Sequence, residues 1–445
     1  MKRLACGIML FFIVNNTLFY PQKTNAINGS ESPKKIEIDE KFEILYQFDQ
    51  ISEITVVQAF LNAGQRLEPS GFQGISYMSA WLSLGLPDRG KVNRMMNLGS
   101  TFSLQVDGDI VVITVKSLTI NLDETLELLS SVLSNPLISS LRISEVKKQM
   151  EFALDTLEDN PILSMNFSFM NYFFESPGYG GSVYGTKETQ EKIKRKNIEN
   201  FIHRHFNLKN MMFSIATDLD EKSVKQIFKR HFENFAMGEP VNPPGIKIKI
   251  PDNRDIVLER EADETLLAYG FLLPEATSRK KFCLAMMLET LVGKGVGSRL
   301  WGIREDKNIA YLAESDLFRM KDAGILALYL KTSPKDVDKA DRALREIIKS
   351  LWESGIDAEE LKITKEYSIG DMMRQLETKY NRSLIMGIFE WYGLGYDFTF
   401  QIYDQINSIT LKEMNDFIKE TFNPDRQVKV TIGPGGQPKI QKEEL

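Results

Sequence analysis

The chain has 445 residues, 42% of them hydrophobic and 26% charged, with a formal net charge of −6 at pH 7. That composition supplies a buried core and, at the usual domain size, about two to four domains. The acidic balance argues against nucleic acid as a partner, because a phosphate backbone needs a basic surface, and no stretch reaches the roughly 20 apolar residues of a membrane helix.

Lys2 and Arg3 are followed by Leu4 to Val14, eleven residues without a charge, and then by Thr24-Asn25-Ala26 with small residues at the cleavage positions. This is a signal-peptide pattern over residues 1–26, and it predicts an exported protein, periplasmic or secreted. Cleavage removes Lys2, Arg3 and Lys23 but no acid, leaving about −9. Leu4-Ala5-Cys6 lies ahead of the apolar run, where a lipid-anchor site does not. Cys283 is then the only thiol, so no internal disulfide forms. Its apolar neighbours Phe282, Leu284, Met286 and Met287 predict a buried structural thiol.

Residues 27–236 form a first domain that opens on a polar lead-in over 27–35, and residues 237–253, with Pro243-Pro244, read as a linker. Residues 254–445 form a second domain. The two share an order of elements. The strand-like run Ile110–Val115 precedes helices near 123–134 and 142–158. The run Ile325–Leu330 precedes helices near 335–353 and 358–377. Each half closes with a helix (190–205, then 411–421) and a short strand (Met212–Ala216, then Val428–Ile432). A duplicated α+β half is the simplest account. Lys192, Lys194, Arg195 and Lys196 read as a solvated helix face, and His203, His205 and His231 as surface or capping residues. Gly293 to Ser298 lacks the spacing of a phosphate loop.

Three further segments carry the functional signal. In Gln73 to Gly85, Gly74, Ile75 and Ser76 precede Tyr77, and Ala80 and Trp81 follow. Ser176 to Thr186 is rich in Gly, Pro and Tyr. In Gly297 to Tyr311, Ser298-Arg299-Leu300 is followed by Arg304 and, seven residues on, Tyr311. In this order they resemble the insulinase/pitrilysin family of zinc peptidases over nearly the whole chain after the leader. The resemblance implies two similar insulinase-like halves, each a mostly antiparallel sheet packed with helices. It also implies an H-x-x-E-H helix, whose two His, four residues apart on one face, bind zinc while the Glu activates the metal-bound water.

Here those three positions fall on Tyr77, Ala80 and Trp81. Ala has no lone pair, indole only donates a hydrogen, and a phenol with a pKa of about 10 is a rare zinc ligand. The family's third ligand is a Glu before a Pro. Counted back from Pro161, that position falls near Ala153, and the nearest carboxylate, Glu151, reads as a solvated helix residue. No cofactor is therefore expected in this chain.

Arg304 and Tyr311 match the family pair that holds the substrate backbone across the chamber from zinc, with Arg299 structural. The family strand that pairs with substrate falls near Thr101–Leu104, where Ser103 and Leu104 depart from the usual small, polar pattern. The resemblance thus implies a catalytically silent subunit that pairs with a homologous zinc-bearing subunit and lends Arg304 and Tyr311 to its handling of unfolded peptides. The alternative is a structural subunit with no part in proteolysis.

Overall fold

Strands buried on both faces read as unbroken apolar runs, and that is how the central strands of this protein are written. The computed structural model describes residues 31–434 apart from 86–88, 177 and 306–308, so the leader over 1–26 lies outside the described residues. The first sheet holds β1 (Lys34–Ile38), β2 (Phe42–Phe48), β3 (Ile54–Leu61), β4 (Thr101–Val106), β5 (Val111–Leu118) and β6 (Met211–Thr217), in the order β1-β2-β6-β3-β5-β4. The second holds β7 (Arg254–Glu259), β8 (Thr265–Leu273), β9 (Leu312–Arg319), β10 (Gly324–Thr332) and β11 (Gln427–Gly433), in the order β7-β11-β8-β10-β9.

With β1 set aside, the two orders are the same. In each half the outer strand pairs parallel with the last strand of that half, β2 with β6 and β7 with β11. Every other neighbour is antiparallel. The expected pair of similar, mostly antiparallel halves is what the chain forms.

Alternate residues explain how each sheet is covered. Val57, Ala59 and Leu61 of β3 join Val111, Ile113 and Val115 of β5 in the core under the first half's own helices. Leu326, Leu328 and Leu330 of β10 do the same in the second half. The opposite faces are covered by exchange. Helix Pro161–Phe173 belongs to the first half but sets Met165, Phe169 and Phe173 on Leu266, Ala268 and Ala327 of the second sheet. Helix Lys379–Trp391 belongs to the second half and packs Leu384, Ile388 and Trp391 on Phe60, Ile110 and Val112 of the first.

Two glycines make the exchange possible. A Cβ on Gly270 would stand 2.6 Å from the Phe169 ring, and one on Gly387 would stand 2.1 Å from Phe60. Buried cations anchor the second helix: Arg382 pairs with Asp49, and Lys379 Nζ donates to the carbonyls of Ser52 (2.6 Å) and Ile54 (2.9 Å). A third cross-tie joins the halves through Arg66, which donates to Asp109 (2.9 Å), to Asp322 (2.6 Å) and to the Pro244 carbonyl (2.6 Å).

Local departures from the sequence reading have local causes. The segment 190–205 is two helices, Lys187–Lys192 and Arg195–His205, because Ile193 turns into the core and Lys194 is extended. The helix expected from 335 starts at Val337, after a tight turn over Pro334–Asp336. Among the described residues no helix is long and apolar enough to cross a membrane.

Candidate functional site

The helix carrying the degenerate motif, Ile75–Leu84, begins at Gly74, whose φ of 95° favours glycine and whose Cβ would meet the Tyr184 carbonyl oxygen at 2.6 Å. Glu68 caps this helix. Its Oε1 accepts the N–H groups of Gly74 and Ser76, both at 3.0 Å, against the positive end of the helix dipole. Glu68 is buried, and burial, only partly opposed by those two hydrogen bonds, pushes its pKa from 4.5 up to about 8.

Hydrophobic material packs around the three positions that the resemblance aligns with the zinc motif. Ala80 is fully buried, and Tyr77 and Trp81 are half-buried against the first core. The Tyr77 ring meets Tyr184 edge-on, with centroids 4.8 Å apart at 76°. Burial, helped by Tyr184, raises the Tyr77 phenol above its ordinary value, so it stays protonated and is a poorer metal ligand still. On the neighbouring helix Ser140–Asp159, the fully buried Met150 lies against Gly74, Ala153 is half-buried, and Glu151 points to solvent. Among the described residues no three His, Cys, Asp or Glu side chains stand where they could hold a metal ion. The residues present do not fit zinc.

Other groups raised by the sequence are structural. Cys283 is buried, and burial pushes its thiol up to about 12. His203 is exposed, but His205 corrects the surface reading. It is buried against Phe201, its Nδ1 is 2.9 Å from the Asn62 carbonyl oxygen, and burial lowers its pKa to about 4. His231 Nε2 sits 2.7 Å from Asp123. Arg299 pairs with Glu360 at 2.5 Å.

Arg304 and Tyr311 are brought together. Arg304 lies in the short helix Trp301–Glu305, its guanidinium 5.5 Å from the Trp301 ring centre and its Nε 3.4 Å from Glu305. Tyr311 immediately precedes β9, the edge strand of the second sheet, and its N–H donates to the Lys331 carbonyl at 3.1 Å. Both side chains are about half exposed, and both line an open cavity of about 450 Å³ with Glu305, Ile309, Ala310, Ser333, Lys335 and Asp336. Burial and the Glu264 charge raise the Tyr311 phenol above its ordinary value, which keeps it a hydrogen donor. Tyr77, Ala80 and Trp81 are not part of this lining. β4, the strand at Thr101–Val106, is the edge of the first sheet, with Thr101, Ser103 and Gln105 outward.

Sequence reasoning missed three participants: Trp301, Lys335 and Glu68. Trp301 stands three residues before Arg304 on one helical face, a spacing that was legible. Lys335 follows the strand β10 and reaches the groove only through sheet pairing. Nothing local marks Glu68 as a cap six residues ahead of its helix.

Residues 192–367 match the sequence profile of the family described as "Peptidase M16 inactive domain". A Bacillus subtilis protein named "Uncharacterized zinc protease YmxG" is 24% identical over 302 residues, covering 66% of this chain and 72% of that protein. The Helicobacter pylori "Non-peptidase homolog YmxG" is 23% identical over 384 residues, covering 85% of this chain and 89% of that protein. The crystal structure of a peptidase M16 inactive domain from Pseudomonas fluorescens superimposes with a TM-score of 0.81 at 17% identity, over 91% of this chain and 98% of that one, a likeness of fold. Doubled sheets and these matches agree with the resemblance read from the motifs: the chain is similar to the insulinase/pitrilysin (M16) peptidases and, among them, to inactive homologues.

Proposed function

We propose that this chain is the non-catalytic subunit of a heterodimeric zinc metallopeptidase, exported by its leader and paired with a zinc-bearing homologue. The observation that carries the reading is the exposed Arg304 and Tyr311 pair, sharing one cavity at the head of the open edge strand β9. Half-exposed donors make little contribution to folding, and two of them opening into one cavity are available to a ligand.

In this reading an unfolded peptide lies along the free edge of β9, where main-chain pairing gives affinity without sequence preference. The Arg304 guanidinium and Tyr311 hydroxyl donate to a peptide carbonyl, fixing register and stabilising developing oxyanion charge while the partner supplies metal and water.

Affinity capture from the cell envelope tests the pairing. A homologous zinc peptidase supports it, and an unrelated assembly supports a purely structural subunit. In the reconstituted pair, Arg304→Ala and Tyr311→Phe are each expected to lower kcat/KM by about 10- to 100-fold, with unfolding free energy changed by less than about 0.5 kcal/mol. Unchanged kcat/KM would remove the assigned role.

A further inference from the structure

We infer that the groove at Arg304 and Tyr311 selects a carboxylate on the bound peptide, and that Lys335 is the residue that reads it. This rests on the groove being the peptide site proposed above. Two hydrogen bonds place Lys335 there. Thr332 Oγ1 donates to the Ile309 carbonyl at 2.6 Å, and the Tyr311 N–H donates to the Lys331 carbonyl at 3.1 Å. They hold residues 309–311 against the end of β10, so the turn Pro334–Asp336 stands over the cavity that Arg304 and Tyr311 line.

The cavity is lined by two cations, Arg304 and Lys335, and two acids, Glu305 and Asp336, and each acid already has a partner other than Lys335. Glu305 is engaged by Arg304 Nε at 3.4 Å. Asp336 is engaged by Lys339 Nζ at 2.7 Å and by the Ser333 hydroxyl at 2.9 Å, and these two bonds, with the nearby charges of Lys339 and Lys335, hold its carboxyl below the usual range. Glu264, the acid that bears on the Tyr311 phenol, lies outside the lining and faces Lys331 at 3.9 Å. Lys335 is exposed, lines the cavity and makes no ion pair among the described residues. Lys335 therefore offers an ammonium without an ion pair in the same lining as the Arg304 guanidinium nitrogens that Glu305 does not engage and the protonated hydroxyl of Tyr311. Three donors of this kind match the two oxygens of a carboxylate and leave a neutral amide with weaker hydrogen bonds.

The carboxylate has two possible sources, an Asp or Glu side chain or the C-terminus of a peptide. Fluorescence anisotropy with the purified chain separates them, using three labelled, unstructured peptides of one sequence. One carries an internal Glu and an amidated end, one an internal Gln and a free carboxyl end, and one an internal Gln and an amidated end.

At low salt at least one carboxylate peptide is expected to bind up to about 5-fold more tightly than the neutral one, the upper range for an exposed charge pair. The preference should shrink as salt is added and vanish in Lys335→Gln. The peptide that shows the preference identifies the source. Equal affinity for all three peptides, a preference that survives Lys335→Gln, or no binding at all overturns the inference. A Lys335-dependent preference in which neither Arg304→Ala nor Tyr311→Phe weakens binding would instead overturn the reading of those two residues.

Discussion

The two halves share a sheet order and treat the same region in opposite ways. After the third strand of the first half, helix Ile75–Leu84 has its N-terminus capped by the buried Glu68 and its outer face closed by Tyr77, Trp81 and Tyr184. After the matching strand of the second half, helix Arg279–Gly293 begins at Ser278 with no side-chain cap, and the chain beyond it leaves Arg304 and Tyr311 open to solvent. The first position is packed as a core is packed, whereas the second exposes polar donors that contribute little to packing. The halves stay together through parts that touch neither site, the two exchanged helices and their buried ion pair.

Three experiments would break or sharpen that contrast. The largest effect is expected where the exchange is anchored. Arg382→Ala leaves Asp49, 0% exposed, without its partner in the core, and should cost about 3–5 kcal/mol in urea unfolding. A loss under 1 kcal/mol would mean that the halves hold together without this anchor.

Next in size is restoration of the motif by Tyr77→His, Ala80→Glu and Trp81→His together. Ala80 is 0% exposed, so a carboxylate there should destabilise the chain by about 3 kcal/mol. With Met150 against the helix start and Glu151 turned to solvent, no third ligand follows, and elemental analysis should find less than one zinc per chain. Stoichiometric zinc would show that the plug consists of those three residues alone.

The smallest effect tests the cap. Glu68 has its pKa raised from 4.5 to about 8 in the folded chain. Below pH 4.5 both states carry the proton. Between 4.5 and 8 only the unfolded state releases it, so this residue's contribution falls as pH rises through that window. Wild-type protein should therefore lose up to about 3 kcal/mol relative to Glu68→Gln between pH 5 and pH 8. Parallel pH profiles of the two proteins would show a cap that stays ionised throughout.

Much of the fold was legible because its signals are local. Ile325–Leu330 reads as a strand and 411–421 as a helix from side-chain periodicity, and the repeat of element order announced the duplication. That Ala80 and Trp81 offer no metal ligand was legible for a stronger reason. Whether a side chain has a lone pair to give is a property of the residue, and no fold can make a ligand of Ala80.

The tertiary structure alone decided what depends on residues far apart in the chain. Phe169 crosses to Gly270, and Gly387 comes back to Phe60. Met150, rather than Ala153 or Glu151, lies against the start of the degenerate helix. Asn62 supplies the carbonyl that meets a buried His205, and strand pairing sets Lys335 beside Tyr311. Chemical identity and periodicity are written one residue at a time, but burial and charge balance are set by which distant segments the sheets bring together.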